Sequence, residues 1–342
     1  MPHIAIPIAE PSQVGEARRA TARLAQEAHF DEATSGRAAL VVTELATNLA
    51  RHASQGLLLL GVHGSAPGVM LEIISLDHGP GVADVRQCMA DGYSTGGTPG
   101  NGLGAVQRVA DEFSMFSVPR EGTAIVARVG PRPQGAARTS PRSPARDFDI
   151  AGIQLAAPGE TVCGDAWSVR WLDGTAQVMV ADGLGHGPHA AEAAQAAIQV
   201  FEAASGSPRA VLEQAHERMR WTRGAAVAMA ALDARNAKIV FAGAGNITGR
   251  LVSGVGDRTL LSQHGTLGVQ IRRLSDTTYD WPEHALLVLH SDGITSRWNL
   301  GEAKGVLQCD PVLVAAWIVR EHRRGRDDVT VVVIKRARDR GG

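Results

Sequence analysis

The sequence predicts a two-domain α/β protein, and three observations support this. The chain has 342 residues, whereas a typical domain has roughly 100–200, so two separate cores are expected. A segment with four prolines and four arginines, residues 131–146, contains almost nothing that a core can bury. β-like runs and helical patterns occur on both sides of it. We predict a first domain at 1–130, a linker at 131–146 and a second domain at 147–342.

Composition and charge exclude several classes of function. Lys and Arg total 34 against 35 for Asp and Glu, which gives a net charge of −1. No chain-wide field therefore attracts nucleic acid or anionic lipid. No apolar stretch approaches the roughly 18 residues that cross a bilayer, and the three cysteines lack the spacing of a zinc site. We expect a cytoplasmic protein with neither a nucleic-acid nor a membrane partner.

Residues 37–53 of the first domain have the periodicity of an amphipathic helix. Side chains four residues apart form one apolar stripe and one polar stripe: Val41, Leu45 and Leu49, and Glu44, Asn48 and His52. The apolar stripe predicts packing against a core. By spacing alone, a solvated face is the simpler explanation of the polar stripe, and a functional site is the alternative.

Two glycine-rich turns follow this helix. A β-like run at 69–76 leads into Asp77-His78-Gly79-Pro80-Gly81, where a ligand can approach the backbone closely. A second glycine-rich stretch, 96–104, precedes a helical pattern at 105–111, so free N–H groups at a helix start can receive phosphate. A strand at 122–129 closes the domain. Each turn alone is a weak signal, and their order is the informative feature.

This order is Glu-x-x-x-Asn on a helix, Asp-x-Gly-x-Gly after a strand, Gly-x-Gly before a helix, and Gly-Thr entering a strand. It resembles the GHKL (Bergerat) ATP-binding fold across about residues 16–130. Within that fold, ELATNLARHA, DHGPGV and GLGAVQRVADEF look most similar to the small RsbT-like serine kinases of the bacterial stress switch. The anti-sigma kinases are the next most similar group.

The resemblance implies ATP and Mg²⁺ as cofactors. Asn48 would bind Mg²⁺ through its amide oxygen, Glu44 would accept the proton of the attacking hydroxyl, and Asp77 would receive the exocyclic amine of adenine. Further contacts are implied at Gly79, Gly81 and Thr123 around the base, and at Gly102 and Gly104 at the phosphates. Arg86 is the only Lys or Arg between Asp77 and Leu103. We therefore expect slow or partner-dependent turnover.

The second domain is rich in β-like runs and contains two alanine-rich helical stretches, 188–204 and 208–220. Acids occur where these runs begin or end: Asp165, Asp182, Asp292, Asp327 and Asp328. A single Asp-Gly is most simply a turn. Several converging acids next to glycines are typical of sites for hard divalent cations.

This arrangement resembles the metal-dependent protein phosphatases (PPM family) across about residues 147–336, in particular the SpoIIE branch and its RsbX-like members. The resemblance implies an α/β/β/α sandwich that binds two Mn²⁺ or Mg²⁺ ions. Asp182 would bridge the ions, with the Gly183 carbonyl and Asp165 on one side and Asp292 and Asp327 on the other. The choice of Asp327 over Asp328 rests on motif position alone. Two such ions activate a water for in-line hydrolysis of a phosphoester, so Asp182 and Asp292 are the catalytic candidates.

Other polar residues have simpler interpretations. His186 is a candidate general acid, although substrate contact or turn packing explains it more simply. We expect His290 to be a hydrogen-bonded core residue. Asn246 is a weak candidate in the turn between two strands. The arginines of 320–326 predict a solvated helix end, with phosphoprotein docking as the alternative.

Together the two halves predict a protein serine/threonine kinase fused to an opposing phosphatase. Its partners would be STAS-domain proteins, RsbS- or RsbR-like, of a stress-response partner switch. Alternatively, the first domain is a nucleotide-dependent module that sequesters a partner such as a sigma factor, beside an active phosphatase. A metal-free second domain is disfavoured because all the expected acids are present. Regulation is expected, since two unregulated activities on one residue would only hydrolyse ATP.

Overall fold

The computed structural model describes residues 2–64, 68–83, 85, 102–132, 147–172 and 175–337. Arg86, Cys88, the stretch 96–101 and linker residues 133–146 lie outside the described residues. The chain divides into two compact units. The first comprises residues 1–144 and 308–320, and the second comprises 145–307 and 321–342. The predicted boundaries assign 308–320 to the second domain, whereas this segment packs with the first unit.

In the described part of the first unit, one antiparallel sheet carries helices on one face, in the order β1-β2-β3-β5-β4. Its elements are β1 (Ile4–Ile8), α1 (Ser12–Glu27), α2 (Glu32–His52), β2 (Gly56–His63), β3 (Met70–Asp77), α3 (Gly102–Val109), β4 (Glu112–Val118) and β5 (Gly122–Val129). The register places Asp77 directly opposite Thr123. The ends of β3 and β5 therefore lie side by side.

Helix α2 is positioned by its cap and by its apolar stripe. Asp31 caps it by accepting the N–H of Thr34 at 2.7 Å. Val41, Leu45 and Leu49 are buried in the first unit's core, where burial of such a side chain contributes about 1.5–3 kcal/mol. The opposite stripe is half-buried at Glu44 and Asn48. A fully solvated face would leave both exposed.

Segment 308–320 includes most of a later helix, α6 (Pro311–His322). Trp317 packs edge-on against Phe116, with 4.9 Å between ring centroids and 81° between ring planes. Asp310 forms an ion pair with Arg128 at 3.2 Å. An aromatic contact and an ion pair with β4 and β5 thus explain why this segment belongs to the first unit.

Within the described residues of the second unit, two five-stranded sheets have the orders β15-β10-β9-β8-β7 and β12-β11-β16-β17-β6. The elements in chain order are β6 (Phe148–Leu155), β7 (Asp165–Leu172), β8 (Thr175–Gly183), α4 (Pro188–Ala203), α5 (Pro208–Arg218), β9 (Ala225–Asp233), β10 (Lys238–Ala244), β11 (Thr248–Val252), β12 (Asp257–Leu260), β13 (Gly265–Thr266), β14 (Gln270–Ile271), β15 (Thr277–Asp280), β16 (Leu286–His290), a 3-10 helix (Gly301–Gln308) and β17 (Val329–Arg336). β13 and β14 form a small separate hairpin.

The alternation of side chains along β8 builds two cores. Val178 and Val180 point into a core shared by both sheets, whereas Met179 and Ala181 point into a core shared with α4 and α5. Because β8 is buried on both faces, its sequence is a continuous apolar run. This double burial ends at Asp182. A polar site therefore begins where the strand leaves the core.

Candidate functional sites

One candidate site in the first unit lies where α3 begins above the polar stripe of α2. A Cβ added at Gly102 would lie 3.3 Å from Glu44 Oε2 and 3.7 Å from both polar side-chain atoms of Asn48. Glu44, Asn48 and the start of α3 are therefore neighbours. Gly104, two residues further into α3, is buried. Free N–H groups of a helix start face a carboxylate and an amide here, which is a suitable arrangement for a metal-bound phosphate.

A second group of predicted residues lies at the ends of β3 and β5. Asp77 Oδ1 accepts the N–H of Gly79 at 2.7 Å. A Cβ at Gly79 would lie 3.1 Å from the carbonyl oxygen of His52, so this turn touches the end of α2. Gly81 has φ +64°, and a Cβ there would come within 2.1 Å of the Val118 carbonyl. Glycine is required at that position by conformation as well as by space.

Burial raises the pKa of Asp77, although the N–H of Gly79 and the charge of Arg320 oppose the shift. Arg320 Nη1 also donates to the main-chain oxygen of Asp77 at 2.7 Å. Arg320 is buried and lies over the Trp317 ring at 3.5 Å. The prediction of a solvated helix end is therefore wrong for Arg320, because its guanidinium fixes the end of β3.

Ser117 belongs to this group and was missed by sequence reasoning. Its Oγ lies 2.9 Å from Thr123 Oγ1 and accepts the N–H of Val82 at 2.8 Å. Ser117 stands opposite Thr123 in the β4–β5 register. No local motif marks it, and only the strand pairing could have revealed it.

The candidate site of the second unit is a group of carboxylates. Asp165, at the start of β7, lies directly opposite Asp182, at the end of β8. Asp165 is buried, and its Oδ2 accepts the Ser291 hydroxyl at 2.7 Å. Its Oδ1 is also buried, with no partner at hydrogen-bond distance among the described residues. Gly183 follows in β8, where a Cβ would collide with the main chain of Ala190.

Asp292, Asp327 and Asp328 complete the group, and their hydrogen bonds distinguish them. Asp292 Oδ2 accepts the side-chain N–H of Asn246 at 2.8 Å. Asp328 Oδ1 accepts the main-chain N–H of Ala157 at 2.9 Å, so this buried carboxylate holds a loop. Asp327 is less buried and accepts the Asp328 N–H at 3.0 Å. Because Asp328 Oδ2 is buried with no hydrogen-bond partner among the described residues, the choice of Asp327 over Asp328 as a metal ligand stays a prediction.

The raised pKa values in this carboxylate group indicate that it requires positive charge. Burial raises the pKa of Asp182, and the negative charges of four nearby carboxylates raise it further. The four are Asp165, Asp292, Asp327 and Asp328. Burial also raises the pKa of Asp165 and of Asp292. None of the salt bridges found among the described residues includes Asp165 or Asp182.

The carboxylate oxygens of this group suit a divalent cation, although the side chains are not arranged as a complete metal site. In the described ranges, no group of three or more acidic, histidine or cysteine side chains has the arrangement of a complete metal site. The orphaned Oδ1 of Asp165 and the raised pKa of Asp182 nevertheless show that negative charge is poorly compensated here. Hard cations with oxygen ligands supply that compensation. The donor set therefore suits Mg²⁺ or Mn²⁺.

Two histidines near the carboxylates differ in environment. His290 is buried, accepts from Trp298 Nε1 at 3.1 Å, and has a pKa lowered to about 4, chiefly by burial. It is a neutral core residue, as predicted. His186 is exposed and pairs through Nδ1 with Glu160 Oε1 at 2.7 Å. His186 lies on the loop after Asp182, and Glu160 lies on the loop between β6 and β7.

Comparison with known proteins relates each half to a family. Residues 8–129 match the histidine kinase-like ATPase domain, and residues 172–337 match the stage II sporulation protein E family. The first half is 39% identical over 111 residues to the serine/threonine-protein kinase RsbT of Bacillus subtilis (strain 168), which covers 32% of this chain and 84% of RsbT. The chain belongs to the RsbT family through its first half, and its second half matches the SpoIIE family model.

The SpoIIE-type domain has relatives of its own. The phosphoserine phosphatase RsbX of B. subtilis (strain 168) is 26% identical over 143 residues, or 41% of this chain and 72% of RsbX. A crystal structure of RsbX with magnesium has a TM-score of 0.50 at 22% identity, and covers 57% of this chain and 98% of that one. This likeness supports the fold alone.

A chain from a study of the bacterial stressosome, described as a modular system adapted to control secondary messenger signalling, is 32% identical with a TM-score of 0.51. The match covers 55% of this chain and 99% of that chain. The predicted fold class and the resemblance to GHKL and PPM proteins are confirmed.

No helix in the described part of the chain is both long enough and apolar enough to span a membrane.

Proposed function

We propose that this chain is a bifunctional regulator, a protein serine/threonine kinase in its first half and a metal-dependent phosphoserine/phosphothreonine phosphatase in its second. Its substrates would be STAS-domain proteins of a cytoplasmic stress-response partner switch. The main observation behind the proposal is that one chain contains a site suited to phosphate transfer and a second site suited to phosphate removal. A half-buried Glu-Asn stripe faces a helix start in a domain related to RsbT, and a group of poorly compensated carboxylates lies in a domain related to RsbX.

Helix α2 would organise the kinase site. Glu44, Asn48 and His52 follow one another at intervals of one turn. Asn48 and Glu44, which lie near α3, are therefore about 6 and 12 Å along the axis from His52, which touches the Gly79 turn. An extended nucleoside triphosphate would lie along this line, with adenine at Asp77 and Thr123 and the phosphates at Gly102. Asn48 would hold Mg²⁺, which would neutralise negative charge on the phosphates. Glu44 would take the proton of the attacking serine or threonine hydroxyl.

The phosphatase half would use its acids to hold ions. Asp182, Asp165 and the Gly183 carbonyl would contribute on one side, and Asp292 and Asp327 on the other. Two divalent ions bound there would activate a water and neutralise the phosphoryl oxygens. Asn246 orients Asp292 and Ser291 orients Asp165, so each ligand would be held in place before the phosphoester arrives.

A second function for the first half is favoured by one observation in the sequence. Arg86 is the only Lys or Arg between Asp77 and Leu103, so little positive charge is available to a γ-phosphate. A nucleotide-dependent module that captures a partner, such as a sigma factor, would bind ATP without transferring phosphate. Partner affinity that depends on ATP versus ADP, with no phosphate transferred, would identify this function.

The direct test uses purified chain and a stressosome STAS-domain protein. Mg-ATP should place phosphate on a serine or threonine of the STAS protein, and Mn²⁺ added after removal of ATP should release it. Glu44→Ala should abolish the first reaction and Asp292→Ala the second. If no phosphate is gained or lost, and neither substitution changes anything, the proposal is wrong.

A further inference from the structure

Three large apolar side chains of the second unit are strongly exposed close to the carboxylate group. Trp221 is 66% exposed, Val269 61% and Leu184 55%. Isolated exposed apolar residues are ordinary, but a cluster of them indicates an interaction surface. Burial of each side chain by a partner would contribute about 1.5–3 kcal/mol before the costs of association.

The register of β8 and β9 places the segments that carry Leu184 and Trp221 next to each other. Asp182 lies opposite Ala226 and Gly183 opposite Ala225, and the Leu184 N–H donates to the Gly224 carbonyl at 2.9 Å. The segment 219–224 therefore runs beside the loop that follows Asp182.

Val269 joins the same place from the β13–β14 turn. A Cβ at Gly224 would lie 2.7 Å from Val269 Cγ2, and Ala225 and Leu267 exchange two main-chain hydrogen bonds. Leu184, Gly224 and Val269 thus meet at the end of β8 that carries Asp182, and Trp221 precedes Gly224 by three residues.

The turn that carries Trp221 is held by its own hydrogen bonds. The Thr222 hydroxyl donates to the Met219 carbonyl at 2.8 Å and accepts the Gly224 N–H at 3.1 Å. Met219 is fully buried, and Gly224 has φ +87°, a conformation that favours glycine. The turn is therefore anchored at both ends, with Trp221 between them. A partner would therefore meet a turn whose backbone is already ordered, which lowers the entropy lost on binding.

Arginines flank the apolar residues. Residues 218–223 contain three arginines and no acid. Arg220 and Arg223 are exposed; Arg223 Nη1 donates to the Leu184 carbonyl at 3.2 Å, and Arg220 pairs with Glu217. Trp and Arg are the residue types most enriched at the energetic centre of protein interfaces. A partner that fits here combines an apolar contact with negative charge.

We propose that Leu184, Trp221, Val269, Arg220 and Arg223, the Trp221 surface, dock the phosphoprotein substrate of the phosphatase half. This rests on the proposed phosphatase function. The occupant is a folded protein with acidic and apolar groups beside its phosphoserine or phosphothreonine, because the surface adjoins the carboxylates that would hold the metals. A small phosphoester is too short to reach it. The surface therefore sets the KM for protein substrates and selects among them.

The test compares two substrates with Mn²⁺ present: p-nitrophenyl phosphate and a serine-phosphorylated stressosome STAS-domain protein. In Trp221→Ala, the ratio of kcat/KM for the protein to kcat/KM for the small ester should fall at least tenfold, through KM. Arg220→Glu should lower the same ratio and weaken its dependence on salt. Val255→Ala is the matched control, since Val255 is fully exposed in the β11–β12 turn, and its ratio should equal that of the wild type.

The outcomes separate the two proposals. If the wild type hydrolyses neither substrate, the phosphatase function is wrong. If it hydrolyses both and Trp221→Ala and Arg220→Glu leave the ratio unchanged, the docking surface is wrong. If Trp221→Ala instead converts a dimer to a monomer, seen by light scattering, with an unchanged ratio, the surface joins two copies of this chain and the proposal is overturned.

Discussion

Glu44 and Asn48 are chemically distinct although they are one turn apart on α2. In the proposed kinase site the carboxylate accepts a proton and the amide holds Mg²⁺. Glu44→Gln keeps the shape of the side chain but removes its basicity. Phosphate transfer to the STAS protein should therefore fall by about 10²–10⁴-fold, the usual contribution of a general base, while the affinity for a fluorescent ATP analogue stays within about twofold.

The matched control for this prediction is Glu32→Gln, because Glu32 is exposed in the first turn of the same helix. It should change neither transfer nor affinity. Transfer that persists in Glu44→Gln would show that another group takes the proton. Equal losses of transfer and of affinity would make Glu44 a structural residue.

Gly102 allows a prediction in which stability and binding change in opposite directions. An alanine in place of glycine in a helix usually adds about 0.5–1 kcal/mol of stability. In Gly102→Ala, however, the new methyl group would stand 3.3 Å from Glu44 Oε2, in space that the phosphates would occupy. The first unit should melt at an equal or higher temperature, and ATP affinity should fall about tenfold.

Gly36→Ala is the control for that experiment. Gly36 lies inside α2 with nothing within 4 Å of its added Cβ, so it should gain stability without losing affinity. Calorimetry and nucleotide titration measure the two effects separately. Unchanged ATP affinity in Gly102→Ala would show that the start of α3 does not contact the nucleotide.

At the scale of elements, β3 and β5 are joined by a buried ion pair. Arg128 Nε donates to Glu72 Oε2 at 2.6 Å, and both side chains are almost fully buried. Burial alone would raise the pKa of Glu72, but the hydrogen bond with His3 and the charge of Arg128 outweigh it, and the pKa is lowered to about 2. The ionised form of Glu72 is therefore favoured in the folded state.

The sign of the pH effect follows from this lowered pKa. The ordinary value is 4.5, so the stability from Glu72 is fully present above that pH and is lost as the pH falls towards 2. The loss should be about 3 kcal/mol. Glu72→Gln should be about 1–3 kcal/mol less stable than the wild type at pH 7, because Arg128 loses its most buried partner and keeps Glu112 and Asp310. The difference should shrink below pH 4, as followed by urea unfolding.

Glu121→Gln is a suitable comparison, since Glu121 lies in the turn between β4 and β5, away from the Glu72–Arg128 pair. It should have little effect at any pH. If Glu72→Gln lowers the free energy of unfolding as much at pH 3 as at pH 7, packing rather than charge stabilises this pair.

The sequence predicted the elements whose signal is local. The two stripes of α2 follow from a four-residue spacing, and the acids of β7 and β8 stand beside glycines at strand ends. Ser117 and Trp221 carry no such signal, because each acquires its place through strand pairing or a contact between distant segments. Arg320 was misread for the same reason: its local sequence is that of a solvated helix end, yet its guanidinium bonds to residue 77.

At the scale of the whole molecule, the proposed kinase and phosphatase activities oppose each other. The rate of ATP hydrolysis therefore reports whether phosphate is added to and removed from the same STAS residue. A chain that adds and removes phosphate on one STAS residue, in the presence of Mg²⁺ and Mn²⁺, should hydrolyse ATP steadily and only when the STAS protein is present. Asp292→Asn should give a burst of one phosphate per STAS site and then stop, because removal is blocked. Glu44→Gln should give no burst.

A mixture of the two variants then tests whether the halves share a residue. If both activities act on the same site, a STAS protein phosphorylated by the Asp292→Asn chain is a substrate for the Glu44→Gln chain, and steady hydrolysis returns. If the mixture shows no steady ATP hydrolysis while each variant retains its remaining activity in separate assays, the kinase and the phosphatase act on different residues. The chain would then regulate two sites instead of cycling one, and its halves would require no protection against futile hydrolysis.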